Sequence, residues 1–158
     1  SWFLDWAEPR QFMRNAVYLN TGTGRMLQAA QLLGVSSTDW TWTPRLEDFD
    51  NDGWLDLFIT NGIMRDAMHS DMTDYADNVL KPGTPEFVKF WKEQPMRKEK
   101  NAAFRNTGAL KFENVGAAWG LDREGVSFGA ATADFDNDGD LDLVVSNADA
   151  TTCPANRL

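Results

Sequence analysis

The 158-residue chain has almost no histidine or cysteine, the side chains on which many metal and covalent sites depend. His69 is its only histidine and Cys153 its only cysteine, so the sequence excludes a histidine-based cluster and an internal disulfide. It also contains no phosphate-binding P-loop and no H-E-x-x-H zinc motif. We therefore expect a protein that is not an enzyme and that has no catalytic residues.

The chain also has few basic residues and no long apolar run. Its 15 Lys and Arg stand against 24 Asp and Glu, which gives a net charge of −9 at pH 7. An acidic surface disfavours nucleic acid and anionic membranes as partners, and no stretch is apolar for long enough to span a bilayer. Hydrophobic residues still make up 42% of the chain, which supports a folded domain with a core.

Tryptophan is frequent in this chain, with seven residues. We interpret them mainly as core or interface residues, and a shelf that stacks on sugar rings is the alternative. The seven are Trp2, Trp6, Trp40, Trp42, Trp54, Trp91 and Trp119.

The most informative feature is a ten-residue string that occurs twice, at residues 48–57 and 134–143. Each copy has acidic side chains at positions 1, 3, 5 and 9 and glycine at position 6, where a sharp turn favours glycine. Such a loop directs oxygens at one centre, and Ca²⁺ takes about six to eight oxygens in irregular geometry. Mg²⁺ fits less well because it requires an octahedron, and a solvated acidic turn without metal is the other alternative. We predict two Ca²⁺ sites, formed by the carboxylates of Asp48, Asp50, Asp52, Asp56, Asp134, Asp136, Asp138 and Asp142 and the carbonyls of Trp54 and Asp140.

These loops differ from the EF-hand calcium loop in the residues on their C-terminal side. An EF-hand needs a bidentate Glu at position 12, where this chain has Ile59 and Val145. Residues 55–60 and 141–146 are apolar runs rich in β-branched and aromatic side chains, which indicates buried strands rather than an exiting helix. We therefore predict that each loop lies within a β-hairpin.

The two loops belong to an internal duplication with a spacing of 86 residues. With that spacing, residues 15–22 align with 101–108 without a gap, and Asn61 aligns with Asn147. A long repeat of this kind is typical of propellers, solenoids and arrays. Each unit is predicted to contain four short strands, which in the second unit are residues 103–106, 110–114, 128–134 and 141–147.

The two units are separated by residues 65–100, which we predict to form a helical hairpin. Ser70 and Thr84 are candidate N-caps, and apolar residues recur with helical spacing after each. The hairpin is expected to pack on the sheet edge, with a partner-binding appendage as the alternative.

The predicted division of the chain is an end of a preceding blade at 1–14, repeats at 15–64 and 101–149 around the insertion, and the start of another repeat at 150–158.

Residues 128–143 resemble an FG-GAP or VCBS repeat, the blade unit of integrin-α-like β-propellers. Residues 104–108 and 112–121 are similar to the bacterial branch of these repeats, which is associated with ASPIC/UnbV domains and cartilage-acidic-protein-like proteins. The resemblance implies a mainly β fold with two four-stranded blades of a partial propeller, an α-helical hairpin insertion, and Ca²⁺ in hairpin loops on one face. Further blades would come from the same chain or from a neighbouring one.

The expected function is that of an exported, non-enzymatic binding, adhesion or scaffold module that Ca²⁺ stabilises. Because free calcium at the required level is normally found outside the cytosol, we expect an extracellular, periplasmic or cell-surface location in a bacterium. The ligand is expected to be a protein or a glycan. A lectin-like propeller and a subunit that docks into an assembly through the helical insertion are the alternatives, and propellers of this kind also occur within lyases and dehydratases.

Overall fold

The computed structural model describes residues 14–67 and 69–148. The described residues do not include Trp2, Trp6 or Cys153. Of the predicted pieces of neighbouring repeats, at 1–14 and 150–158, only residue 14 is described. The described part is mainly β, as expected, and contains ten strands and two α-helices. The strands are β1 (Tyr18–Asn20), β2 (Met26–Gln28), β3 (Thr41–Glu47), β4 (Asp56–Asn61), β5 (Glu99–Lys100), β6 (Ala102–Asn106), β7 (Phe112–Asn114), β8 (Glu124–Gly125), β9 (Ser127–Ala133) and β10 (Asp142–Asn147).

An antiparallel sheet of four strands, in the order β3-β4-β6-β7, forms the centre of the described part. In its register, Leu57 of β4 lies between Leu46 of β3 and Phe104 of β6. The hairpins β1-β2 and β9-β10 form separate two-stranded sheets, and β5 pairs with β8. The prediction of partial propeller blades is therefore confirmed.

The core lies on both faces of the four-stranded sheet, and β4 is buried along its whole length. A strand that is covered on both faces shows no alternation, which explains the continuous apolar run after loop residue Asp56. The cluster on the side of β1-β2 consists of Ala29, Ala30, Leu33, Val35, Leu57, Ile59 and Phe104. The cluster on the side of β9-β10 consists of Phe49, Phe58, Ala103, Leu121, Ala130, Leu143 and Val145.

The strands of one sequence repeat do not all join one sheet. The strand positions predicted for the second unit are confirmed to within two residues, but its first two strands join the sheet of the first unit, where β6 pairs with β4 and β7 pairs with β6. After β7 the chain makes a turn in which the N–H of Leu121 bonds to the carbonyl of Gly116 at 2.8 Å. It then passes through β8, which pairs with β5, before it enters β9 in another sheet. A sequence repeat determines the period of the strands and not the point at which a blade begins.

The edge strand β3 carries Pro44 where its counterpart β9 has the small Ala130, and Trp42 where β9 has Phe128. Proline is compatible with an edge strand, because no neighbouring strand needs its missing N–H. Side chains of β3 reach the adjacent edge strand instead: Arg45 Nε donates to the backbone oxygen of Ala130 in β9 at 2.6 Å. The edge strands of two neighbouring sheets are thus joined by hydrogen bonds from side chain to backbone.

The insertion forms the predicted helical hairpin. Helix α1 (Ser70–Tyr75) continues into a π-helical turn (Ala76–Leu80), and α2 spans Pro85–Glu93. Thr84 caps α2 as predicted, by accepting a backbone N–H bond at 3.2 Å. The prediction of Ser70 as a cap was wrong, because the helical backbone already begins at this residue.

The hairpin is attached to the sheets at its base. Ile63 and Arg97 form an antiparallel bridge with N–H to oxygen distances of 3.0 Å in both directions. Arg65 Nε donates to the backbone oxygen of Trp91 at 2.7 Å, and the ring of Trp91 lies edge-on to that of Phe90. These contacts fix the place where the insertion leaves the blade.

Candidate metal loops

Loop 1 (residues 48–56) joins β3 to β4, and its own carboxylates help to shape it. Asp48 accepts hydrogen bonds from the backbone N–H groups of Asp52 at 3.0 Å and Gly53 at 2.9 Å. Asn51 and Gly53 have φ angles of 56° and 90°, a left-handed conformation that asparagine and glycine tolerate well. The order of aspartate, asparagine and glycine therefore specifies the turn locally.

Loop 2 (residues 134–142) joins β9 to β10 with the same geometry. Asp134 accepts hydrogen bonds from the backbone N–H groups of Asp138 at 3.2 Å and Gly139 at 3.1 Å. Asn137 and Gly139 have φ angles of 58° and 95°. Because the two loops have the same backbone shape, any difference between them arises from position 7 and from their surroundings.

Each loop brings three of its four predicted carboxylate ligands together. Within each group, one oxygen per residue lies within 4.8 Å of the others. Asp52 and Asp142, which were also predicted as ligands, lie outside these groups. The groups are Asp48, Asp50 and Asp56 in loop 1 and Asp134, Asp136 and Asp138 in loop 2.

The aspartate at position 9 connects each loop to the strand that comes after it. Asp56 Oδ2 accepts the N–H of Phe49 at 3.1 Å, and its Oδ1 accepts the N–H of Asn106 in β6 at 2.8 Å. The equivalent Asp142 accepts only the N–H of Phe135, at 2.9 Å, among the bonds within the described residues. Asp56 is fully buried and Asp142 half-buried, because among the described strands a neighbouring one, β6, covers loop 1 and none covers loop 2.

Position 7 carries Trp54 in loop 1 and Asp140 in loop 2, and the participation of their carbonyls in metal binding stays a prediction. The indole of Trp54 packs over Gly108 in the β6-β7 turn, where an added Cβ would lie 3.0 Å from the ring. The carboxylate of Asp140 accepts a hydrogen bond from Asn51 Nδ2 at 2.5 Å. The two loops therefore lie side by side.

Burial and, after it, the charges of neighbouring carboxylates raise the pKa of one aspartate in each loop. Burial raises the pKa of Asp56, backbone N–H bonds oppose this shift, and the charge of Asp50 adds to it. Burial also raises the pKa of Asp136, and the charge of Asp138 adds to that shift. A raised carboxyl pKa means that the ionised form is disfavoured in the folded protein. A bound divalent cation would remove this penalty.

The donor set of loop 1 fits a hard cation. The side chains gathered there are carboxylates, and Oδ1 of Asp50 is buried without a hydrogen-bond partner. A buried carboxylate oxygen is costly unless a donor or a cation meets it. Ca²⁺ accepts carboxylate oxygens in irregular geometry, so these residues are suited to it.

Arg105 of β6 also contacts loop 1, and sequence reasoning missed it. Its Nε lies 2.6 Å from Asp50 Oδ2, and its Nη2 lies 2.8 Å from Asp52 Oδ2. A backbone hydrogen bond from Trp54 and then this guanidinium lower the pKa of Asp52, while the bond to Asp52 raises the pKa of Arg105. The alignment of the two repeats could have revealed it, because Arg105 is charged and the equivalent residue of the first repeat is the apolar Leu19.

Both halves of the chain match one known type of repeat. Residues 6–59 and 90–145 each match the FG-GAP-like repeat, and together these matches cover more than half of the chain. The chain belongs to the FG-GAP-like repeat family. No curated protein and no solved structure matches it significantly. The narrower resemblance to ASPIC/UnbV-associated proteins stays a prediction.

Membership of the FG-GAP-like family makes the chain a β-propeller-like module, of a type that is generally non-catalytic and often acts in binding. Loop 1 and loop 2 both lie within the matched residues, together with most of the strand on either side of each loop. In residues 14–67 and 69–148, no helix is long and apolar enough to cross a membrane.

The second FG-GAP-like repeat contains a G-x-S-x-G pattern at residues 125–129. In a hydrolase, the serine of this pattern lies exposed on a sharp turn between a strand and a helix, with a histidine as its base. Ser127 is instead fully buried at the start of β9, and its hydroxyl donates to Asn147 Oδ1 in β10. His69 is exposed in the insertion. Ser127 is therefore a structural residue of this sheet.

Proposed function

We propose that this chain is a binding, adhesion or scaffold module of an exported protein, in which Ca²⁺ stabilises the blades and no reaction is catalysed. The observation that supports it best is the gathering of three carboxylates within 4.8 Å in each of two equivalent loops. The unpartnered buried oxygen of Asp50 adds to this support. Calcium is proposed as a structural ion at both loops.

Calcium would act by cancelling the repulsion between carboxylates. Two like charges about 4 Å apart repel by about 4 kcal/mol at the effective dielectric constant of a protein surface. A cation that binds the folded loop and not the unfolded chain adds its binding free energy to folding, about 2.7 kcal/mol when its concentration is 100 times Kd. Because the loops connect β3 to β4 and β9 to β10, this stabilisation would act on the pairing of those strands.

Further blades are proposed to complete the module. In the four-stranded sheet, β4 pairs with β6 of the next repeat on the edge that β3 leaves open. The equivalent edge of β10 has no strand partner among the residues that the structure describes. A propeller closes with about four to eight blades. Hairpins of further repeats, from the same chain or a neighbouring one, are the expected partners of that edge.

The proposed location is outside the cytosol: extracellular, periplasmic or at the surface of a bacterial cell. FG-GAP-like repeats occur in extracellular proteins. Weak extracellular calcium modules bind with Kd values of about 0.1–1 mM, a range that is compatible with calcium levels outside the cytosol. The ligand of the module is proposed to be a protein or a glycan.

Thermal unfolding with and without calcium tests the proposal. Saturating CaCl₂ is expected to raise Tm over that in EGTA by about 5–10 °C, and calorimetric titration should detect two sites. Asp50→Asn and Asp136→Asn should each weaken one site, whereas Asp71→Asn in the exposed first turn of α1 serves as the charge-matched control. A Tm that EGTA leaves unchanged would contradict a structural role for calcium.

Glycan binding is the second candidate function, because two tryptophans of the described part are about half exposed. Trp42 has 47% and Trp54 has 53% of its surface exposed. The Trp42 ring is held by an edge contact with Phe128 at 5.2 Å and by a hydrogen bond from Nε1 to the carbonyl of Gly62 at 2.5 Å. A fixed, half-exposed indole is a suitable platform for a sugar ring.

A glycan array probed with the wild type, Trp42→Ala and Trp54→Ala tests this role, and an array without binders would argue against it.

Docking through the helical insertion is the third candidate. Val79 and Val88 in the helical hairpin are exposed to 62% and 45%, which leaves apolar surface available to a partner subunit. A double variant with Val79→Lys and Val88→Lys is expected to release such a partner in pull-down experiments. Retention of the partner by this variant would exclude the insertion as the docking element.

A further inference from the structure

Arg105 of β6 lies between two carboxylates of loop 1. Its Nε is 2.6 Å from Asp50 Oδ2 and its Nη2 is 2.8 Å from Asp52 Oδ2, so the planar guanidinium bridges positions 3 and 5 of the loop. We infer that Arg105 is a built-in counter-ion that keeps loop 1 folded without calcium, whereas loop 2 depends on calcium for its order. This inference rests on the calcium role proposed above.

Arg105 and calcium can bind loop 1 at the same time, because they require different oxygens of Asp50. The guanidinium takes Oδ2, whereas Oδ1 is buried and has no hydrogen-bond partner. A residue that holds one oxygen of a metal ligand fixes the direction in which the other oxygen points. Arg105 is therefore a positioning residue for Asp50 and not a replacement for the cation.

Loop 2 has no such counter-ion among the residues that the structure describes. Its gathered carboxylates are exposed, and no lysine or arginine in residues 14–67 and 69–148 forms an ion pair with them. Asp140 adds a fifth carboxylate at position 7, where loop 1 has the neutral Trp54. Without a cation, loop 2 therefore has more negative charge that no cationic side chain offsets than loop 1 has.

Three substitutions separate the effect of the guanidinium from that of charge alone. Arg105→Leu introduces the residue that the first repeat has at this place, Leu19, which is compatible with the strand. Arg105→Lys keeps the charge, but an ammonium group cannot reproduce the fork that bridges two carboxylates. Arg123→Leu removes the same charge from an exposed residue beside β8, away from the loops, and is the matched control.

Hydrogen exchange in EGTA measures the order of each loop without calcium. The reporters are the amides that bond to Asp48 in loop 1 and to Asp134 in loop 2. We expect the wild type to protect the loop 1 amides more strongly than the loop 2 amides. Arg105→Leu should speed exchange in loop 1 about fivefold and leave loop 2 unchanged, with a smaller effect of Arg105→Lys and none of Arg123→Leu.

Calcium separates the possible outcomes further. Adding CaCl₂ to Arg105→Leu should restore the protection of loop 1, which also shows that the variant is folded. Loop 1 exchange in EGTA that does not respond to Arg105→Leu would overturn the inference even if calcium binds. Calorimetry in which Arg105→Leu binds calcium more tightly at loop 1, with unchanged exchange in EGTA, would make Arg105 a competitor and also overturn it. A wild type that binds no calcium would contradict the proposed function itself.

Discussion

Loop 1 and loop 2 have the same sequence except at position 7, and they share one backbone conformation, yet their surroundings differ. In loop 1 the aspartate at position 9, Asp56, is fully buried, and Arg105 holds two other carboxylates. In loop 2 the equivalent Asp142 is half-buried and the gathered carboxylates are exposed. The loop sequence thus determines the turn, whereas the strand of the next repeat determines its burial and charge balance.

Loop 1 is therefore a composite of two consecutive repeats. The N–H of Asn106 in β6 bonds to Asp56 at 2.8 Å, and Asn106 Nδ2 donates to the carbonyl of Leu55 at 3.1 Å. These bonds join loop 1 to the strand that pairs with β4. Calcium binding at loop 1 and the pairing of β4 with β6 are consequently expected to support each other.

The largest effect should come from removing the carboxylate at position 9. Asp56→Ala leaves the backbone N–H groups of the buried Phe49 and the half-buried Asn106 without their acceptor, and should lower the free energy of unfolding by about 3–4 kcal/mol. Asp142→Ala leaves only the N–H of Phe135 unpaired at a less buried site, and should cost about 1 kcal/mol. Urea unfolding in EGTA measures both values.

Equal losses for Asp56→Ala and Asp142→Ala would mean that β6 does not cover loop 1 in solution. Asp56→Asn is the control for shape, because it keeps one oxygen acceptor in the same place. It should lose less stability in EGTA than Asp56→Ala, while it weakens calcium binding by removing a charge.

The sequence predicted the turn and the strands because both depend on neighbouring residues. The position-6 glycines, the asparagines with positive φ and the apolar run after each loop are local features, and they appear twice. Arg105 was missed because its partners Asp50 and Asp52 lie in the preceding repeat and meet it only when β6 joins β4. The burial of Asp56 was missed for the same reason, since a repeat does not reveal where one sheet ends.

A smaller effect is expected from the glycines of the two hairpin turns. Gly22 and Gly108 have φ angles of 73° and 72°, so alanine should cost about 1 kcal/mol at each through backbone strain. At Gly108 the new Cβ would also lie 3.0 Å from the indole of Trp54, whereas at Gly22 it would meet nothing within 4 Å. Gly108→Ala should therefore cost about 0.5–1 kcal/mol more and shift the fluorescence of Trp54.

Chemical denaturation and tryptophan emission distinguish these two variants. The emission change in Gly108→Ala should disappear when Trp54→Phe is added, which assigns it to that indole. Identical stability losses for Gly22→Ala and Gly108→Ala, with unchanged emission, would show that Trp54 does not rest on the turn.

The smallest effect concerns the bond between the loops. Asn51 and Asn137 both have positive φ, so glycine keeps the backbone of each while removing the side chain. Asn51→Gly breaks the hydrogen bond to Asp140 and should therefore cost more stability than Asn137→Gly. The difference should be only about 0.5–1 kcal/mol, because this bond is exposed to water. A double-mutant cycle of Asn51→Gly and Asp140→Ala measures the coupling directly. A coupling energy of zero would mean that the loops are independent in solution. A favourable coupling energy that is larger with calcium than in EGTA would mean that calcium binding to one loop helps to order the other.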